Sequence, residues 1–492
     1  MRPNYVLILI LAAGTLLLNA CSGVPTGTTP VTGSATLSLT MSVTPLVPPP
    51  NATILSFSVD VVGISLTPSG GGTLVPVPLT SGSGTYAVDL TRLQSDSVLL
   101  ATTGTIAAGT YSTVTLSLSN PSLTYCTVTT GIAGCNTSSV TTLTAGAATP
   151  SATTTLTVAS NQQTGLRLNL DLNQLLTVNT TTQVPTLDLT ATTALTTVSL
   201  PPASSLATGQ LDFVEDLTGL VSTVSGQNIT IQTATKGSLT ATANSSTVFS
   251  PNCASADISC VQQGQVASID TSLGAAGTLT ILEYDPLDGP TSTHDYIEGV
   301  VAATPTSPTQ FELVTNDLVE ASSGSLISGA ILGAPVVVTL GTGATFAVDA
   351  KGLLVPTQAT TFAGATDTSV LFAGQEVAVQ VTNYTAASGS NPATVTASLV
   401  DLRYTRVAGT VLASAPPTTL TLQNLPPFFG LTINPVVQLS NGTPPSSPAT
   451  NYDGVTSASG VTAGTTGTFS IRALYFGPVA TTPFSAAKVR AN

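Results

Sequence analysis

Apolar and polar residues alternate with a period of two along most of the chain. In SATLSLTMSV (34–43) Leu37, Leu39, Met41 and Val43 alternate with Ser and Thr. Phe57, Val59 and Val61 do so in SFSVDV, Val114, Leu116 and Leu118 in STVTLSLS, and Leu166, Leu168, Leu170 and Leu172 in GLRLNLDL. Successive side chains of a strand point to opposite faces, so this pattern predicts half-buried strands. Beyond the N-terminus no long stretch carries apolar residues at i, i+3, i+4 and i+7. Repeated short strands between Gly and Pro turns predict an all-β chain built as sandwiches or barrels.

The N-terminus follows a different pattern. After Arg2, Tyr5 to Leu18 is an uncharged, largely apolar run of 14 residues, shorter than the roughly 20 that span a bilayer, and it reads as a signal peptide over 1–20. Its end, Leu18-Asn19-Ala20-Cys21, resembles the bacterial lipobox. That resemblance implies a diacylglyceryl group on the Cys21 thiol, cleavage before Cys21, and a further acyl chain such as palmitate on the freed amine. One chain binds a membrane marginally, whereas two or three hold a soluble domain on it. SGVPTGTTPVTG (22–33) has the composition of a tether, with a reach on the order of 20 Å, so 21–33 is expected to be a lipidated tether. Ser22 after the cysteine resembles lipoproteins sorted to the outer membrane, which sets the expected location at the bacterial cell envelope.

Composition narrows the class. The chain has 492 residues, 42% of them apolar, enough for several cored domains. Charged residues are 7% and Trp is absent, against about 25% charged in ordinary domains. Disorder pairs low hydrophobicity with high charge, so this composition points to folded β-structure with Thr-covered faces. With Cys21 assigned to lipid, four cysteines remain as two local pairs, Cys126 with Cys135 and Cys253 with Cys260. In an oxidising compartment such pairs read as disulfides, and Cys₄ metal sites use tighter spacing.

ILSFSVDVVGISLTPSGGG (54–72), AAGTYSTVTLSLSN (107–120) and TGLRLNLDLNQLL (164–176) resemble a bacterial lipoprotein family called domain of unknown function 4382. The family brings no activity with it. Residues 34–200 are expected to form a β-sandwich, and 201–210 (PPASSLATGQ) a linker. A self-similar pattern then recurs: LTGLVSTVSGQNITIQ, IEGVVAATPTSPTQFELV and VAGTVLASAPPTTLTLQ open on Gly219, Gly299 and Gly409. Later in each copy comes a glycine-led strand, near GQVASI, GQEVAVQV and GTFSIRAL. These copies are similar to domain of unknown function 5666, a small β-barrel-like module of bacterial envelope proteins. They predict three small β-domains over 211–292, 293–402 and 403–492.

Most catalytic templates are absent. There is no G-x-S-x-G, P-loop or G-x-G-x-x-G, and one histidine excludes H-E-x-x-H. His294 beside Asp295 could enter a Ser-His-Asp triad, but in TSTHDY it reads first as a surface residue. Residues 201–330 carry 13 acids against Lys236 alone, whereas 331–492 carry five acids and six bases. That acidity argues against nucleic acid, which needs Lys and Arg at its phosphates, although small barrels can bind oligonucleotides.

Two readings of the acids stay open. Glu283, Asp285 and Asp288 in EYDPLDGP put three carboxylates on a turn, which suits Ca²⁺; the other reading, a solvated acidic loop that aids solubility, is favoured. A hydrolase pair could be drawn from Asp212, Glu215, Asp216 or Glu298, with Tyr284, Tyr296 or Tyr404 as sugar platforms. Phe428 and Phe429 in LPPFFG read as core at a loop end before they read as a docking patch. The leading expectation is a lipid-anchored, non-enzymatic envelope protein, structural or ligand-binding, with no catalytic residue and no cofactor beyond the candidate Ca²⁺. Its expected partners are the membrane and an envelope or extracellular ligand. The alternative is an envelope hydrolase using acids of 212–320, which would need those acids to converge in a cleft.

Overall fold

A computed structural model describes residues 34–491 apart from 83, 137–139, 180, 201–212, 234, 251, 252, 254, 274–277, 291–293, 322–324, 351, 352, 354–356, 445–448, 465–467, 479 and 481. Cys21, the signal peptide, the tether, the 201–210 linker and Asp212 lie outside the described residues. What is described is nearly all β.

The first unit packs two sheets. One runs in the order Leu195–Leu200, Gln163–Asp171, Ser34–Thr44, Val98–Ala107, with Gln163–Asp171 parallel to Ser34–Thr44. The other runs Val75–Val77, Ala52–Pro68, Gly109–Thr127, Thr141–Thr144, with Tyr86–Asp89 and Ser151–Val158 paired beside it. The alternating residues meet between the sheets: Leu37, Leu39, Met41, Phe57, Leu116 and Leu168 are in one core and at most 1% exposed. Ser38, Thr40 and Ser42 are buried too, because Ser34–Thr44 is an inner strand screened by its neighbours. Their hydroxyls bond sideways, Ser42 to Asn169 Oδ1 at 3.1 Å. The leucine-rich strand stops at Asp171, whose carboxylate caps the short helix Leu172–Leu175 by accepting from Asn173 N–H.

Three small barrels follow, each of five principal strands. In the first these are Phe213–Ser225, Asn228–Thr233, Gly237–Thr242, Val266–Leu273 and Leu279–Pro286. In the second they are Tyr296–Val301, Gln310–Val319, Pro335–Val348, Glu376–Thr385 and Ala393–Arg403. In the third they are Thr405–Ala415, Thr419–Gln423, Val436–Leu439, Phe469–Tyr475 and Phe484–Ala491. All three share one connectivity: strand 1 pairs with 2 and 4, strand 3 pairs with 2, and strand 5 closes the ring, antiparallel to 4 and parallel to 3.

The recurring sequence features have structural reasons. A Cβ on Gly219, Gly299 or Gly409 would run into the carbonyl oxygen of Gln232, Val314 or Gln423 on strand 2, so only glycine permits this approach. Before strand 4 each barrel has one 3₁₀ turn, Ile258–Cys260, Thr368–Val370 or Ala458–Gly460. Both cysteine pairs are disulfides, Cys126–Cys135 and Cys253–Cys260, with Cα atoms 5.6 and 5.4 Å apart. The first staples a loop that packs on the second and third barrels, where Cys135 N–H donates to Ala302 O and Gly134 N–H to Phe428 O.

Candidate functional site

Charged residues are scarce, yet most converge on one buried place where all four units meet. The sandwich sends in the loop of Arg92 and Asp96; the barrels contribute side chains from their first, fourth and fifth strands. Asp216, with a side chain 1% exposed, sits at the centre. It accepts from Arg92 Nη2 at 2.5 Å, Arg403 Nη2 at 2.8 Å and Arg406 Nη2 at 2.5 Å. Around it, Glu298 faces Arg92 and Arg403 at 3.1 and 3.4 Å, and Glu376 meets Arg406 at 2.5 Å. Arg472 grips Asp270 with two bonds of 2.6 and 3.1 Å and lies 4.5 Å over the Tyr404 ring. Lys488 pairs with Glu215 at 2.7 Å, and Arg490 with Asp453 at 2.7 Å. Among the described residues every lysine and arginine is in an ion pair.

Strand register shows how this hub is built. In the first barrel Asp270 on strand 4 lies opposite Glu283 on strand 5, and Ser268 opposite Asp285. In the third, Arg472 lies opposite Lys488 and Ser470 opposite Arg490. Three residues before the opening glycine stands Asp216 in the first barrel and Arg406 in the third. Four equivalent positions are therefore acidic in one barrel and basic in the other. Two of them pair directly across the interface, Asp216 with Arg406 and Asp270 with Arg472.

Burial sets the protonation of this cluster. Desolvation pushes Glu215 up to about 7 against the pull of Lys488. The same desolvation raises Glu298, opposed by Arg403 and Arg92. Desolvation, with Asp349 and Asp401 adding to it, raises Asp285 well above the carboxylate range. Asp453 goes the other way: burial would raise it, but Arg490, Lys488 and Arg167 bring it down to about 2.

The acids expected to form a solvated loop are not solvated. Glu283 is 8% exposed and Asp285 not at all. Nor are they gathered for a cation: Asp285 is buried where the charges of Asp349 and Asp401 act on it, whereas Asp288 accepts from His294 N–H at 2.7 Å and pairs with its Nδ1 at 2.8 Å. Among the described residues no group of three or more His, Cys, Asp or Glu side chains is arranged to hold a metal ion. Asp295 turns away from His294 to hold Ala321, Ser325 and Leu326. Tyr284, Tyr296 and Tyr404 are fully buried and offer no platform. Phe428 and Phe429 are buried, as a loop-end core reading has it. Glu215, Asp216 and Glu298 do come together, but with cations. Their partners Arg92, Arg403, Arg406, Arg472 and Lys488 escaped sequence reasoning; the available signal was that six of the chain's ten bases lie in 331–492, after the acid-rich 201–330.

Beside the hub lies a cleft of about 90 Å³ where the sandwich meets the second and third barrels. It is lined by apolar residues such as Leu46, Pro48, Ile54, Leu176 and Phe428 and by Arg92, Glu376 and Arg406 of the hub.

The first unit has a counterpart among known families. A family described as a domain of unknown function, DUF4382, matches residues 34–204. No curated protein and no solved structure matches the chain.

Proposed function

We propose that this chain is a non-enzymatic cell-envelope protein, held at a membrane through lipid on Cys21, whose sandwich and three barrels are clamped into one rigid block that serves as a structural or ligand-binding module. The carrying observation is the hub. Of the carboxylates from which a hydrolase pair could be drawn, Glu215, Asp216 and Glu298 are buried and bound to Lys488, Arg92, Arg403 and Arg406, and Asp212 lies outside the described residues. A general acid must reach its substrate, and these three are buried against cations, with Ser97 N–H on Glu215 and the Ser268 hydroxyl on Asp216. The likeness of the three barrels to domain of unknown function 5666, a module of envelope proteins, and the lipobox ending at Cys21 support the location.

Mass spectrometry of the mature N-terminus tests the anchor. Cys21 is expected to carry a diacylglyceryl thioether, and Cys21→Ser to leave the protein unprocessed or released from membranes. An unmodified Cys21, or cleavage elsewhere, removes the anchoring role.

A further inference from the structure

We propose that the barrels form a binding socket for a guanidinium group, which Arg92 of the sandwich fills in cis as a plug. This rests on the ligand-binding form of the module and names its ligand class: an arginine side chain, or a small molecule with the same planar fork, that takes the place of Arg92.

Three observations carry it. The first is the occupant. Arg92 comes from the sandwich, yet groups of the first two barrels hold its guanidinium: Nη2 donates to Asp216 at 2.5 Å, and Nη1 to Glu298 at 3.1 Å and to Asn316 Oδ1 at 3.4 Å. Asp317 and Glu376 stand 3.5 and 3.7 Å from Nη1. Acceptors set at both prongs of a planar fork suit a guanidinium better than the point charge of an ammonium. The second is that the barrels place these acceptors themselves. Asp216 Oδ1 accepts from Arg403 Nη2 at 2.8 Å and from the Ser268 hydroxyl at 3.1 Å. Asn316 Nδ2 donates to Glu376 at 2.9 Å, and Lys236 Nζ to Asp317 at 2.6 Å. All four of these partners belong to the barrels, so the socket is preorganised without the sandwich. The third is charge. Residues 201–330, which supply Asp216, Glu298 and Asp317, carry 13 acids and Lys236 as their one base. Arg403 and Arg472 are shared with Asp349 and Asp270, so a socket without Arg92 holds a costly excess of buried carboxylate. Arg92, Asn316 and Glu376 also line the cleft of about 90 Å³, and truncating Arg92 enlarges that cleft toward the acceptors.

Equilibrium dialysis of radiolabelled methylguanidinium against the full chain carrying Cys21→Ser and Arg92→Ala tests the socket without any attached lipid. One saturable site is expected, at least tenfold tighter than in the chain that keeps Arg92, and methylammonium should bind at least tenfold less tightly. Arg92→Ala should lower the Tm by roughly 5–15 °C, because buried carboxylates lose their cation. Millimolar methylguanidinium should restore at least half of that loss, and NaCl of matched ionic strength should not. Should Arg92→Ala fail to fold, Arg92→Ala with Glu298→Gln removes one charge of each sign, keeps Asp216 and Asn316 as acceptors, and takes the same dialysis. Non-saturable uptake, or equal binding with and without Arg92, overturns the socket. Methylammonium binding as tightly as methylguanidinium overturns the guanidinium class, and a Tm unchanged by Arg92→Ala overturns the need for a cation. Each of these failures leaves the anchor standing, since the mass of the Cys21 peptide decides that separately.

Discussion

The first and third barrels have the same connectivity and register, and opposite chemistry. Where one places Asp216, Asp270, Glu283 and Asp285, the other places Arg406, Arg472, Lys488 and Arg490. Two copies with like charges on this face would repel at close range. Inverting the sign at equivalent positions turns a shared surface into a complementary one, and it does so where desolvation makes every unmatched charge costly. The sandwich contributes a plug of one guanidinium and one carboxylate, Arg92 and Asp96, while the second barrel supplies both signs, Glu298 and Glu376 with Arg403.

Breaking the inversion is expected to give the largest effect. Asp270→Arg or Arg472→Asp alone leaves an uncompensated buried charge and should cost about 3–5 kcal/mol in urea unfolding, or prevent folding. The double swap should recover much of that, with a coupling of at least about 1.5 kcal/mol between the two sites. Additive losses in the double variant would mean that the pair is incidental to the interface.

Titration sharpens the comparison next. Glu215 on the first barrel has its folded pKa raised to about 7. Its contribution to stability is therefore complete below its unfolded value near 4.5 and is lost as pH rises through about 7. Asp453 on the third barrel is lowered to about 2, so its contribution is present above its unfolded value near 3.8 and is lost as pH falls toward about 2. Unfolding free energy measured from pH 5 to 8 should fall with a component that Glu215→Gln abolishes. Asp453→Asn should leave that component in place and flatten the acid limb. A Glu215→Gln profile identical to the parent between pH 5 and 8 would contradict the assignment.

The smallest effect concerns the 3₁₀ turns before strand 4. Asp257 and Asp367 cap theirs by accepting from Ser259 and Ser369 N–H, whereas Ser457, at the same place in the third barrel, makes no cap bond. Thermal melts should show a small loss of Tm for Asp257→Ala and Asp367→Ala, and none for Ser457→Ala.

Much of the fold was written in local pattern. The leucines of 37–43 and 166–172, the opening glycines at 219, 299 and 409, and the nearby cysteine pairs each report a constraint met within a strand, a turn or a short loop. Such constraints act over a few residues, and period-two burial or a forbidden Cβ leaves a mark that a single sequence displays. The acids of 212–320 were legible as a group, but their state was not. Solvation was the natural expectation for Glu283 and Asp285, because nothing near them in sequence neutralises them.

What neutralises the acids that were singled out lies far along the chain. Arg406 stands 190 residues from Asp216, Lys488 stands 273 from Glu215, and Arg472 stands 202 from Asp270. By itself the sequence determined an all-β chain with its strand faces, close-approach glycines and disulfides, because those depend on neighbours in sequence. The tertiary structure alone decided that the scarce charges would be buried together and that a cleft would open beside them. Ion pairing and cavity shape depend on which surfaces meet when separately folded barrels dock, and no short-range periodicity records that choice.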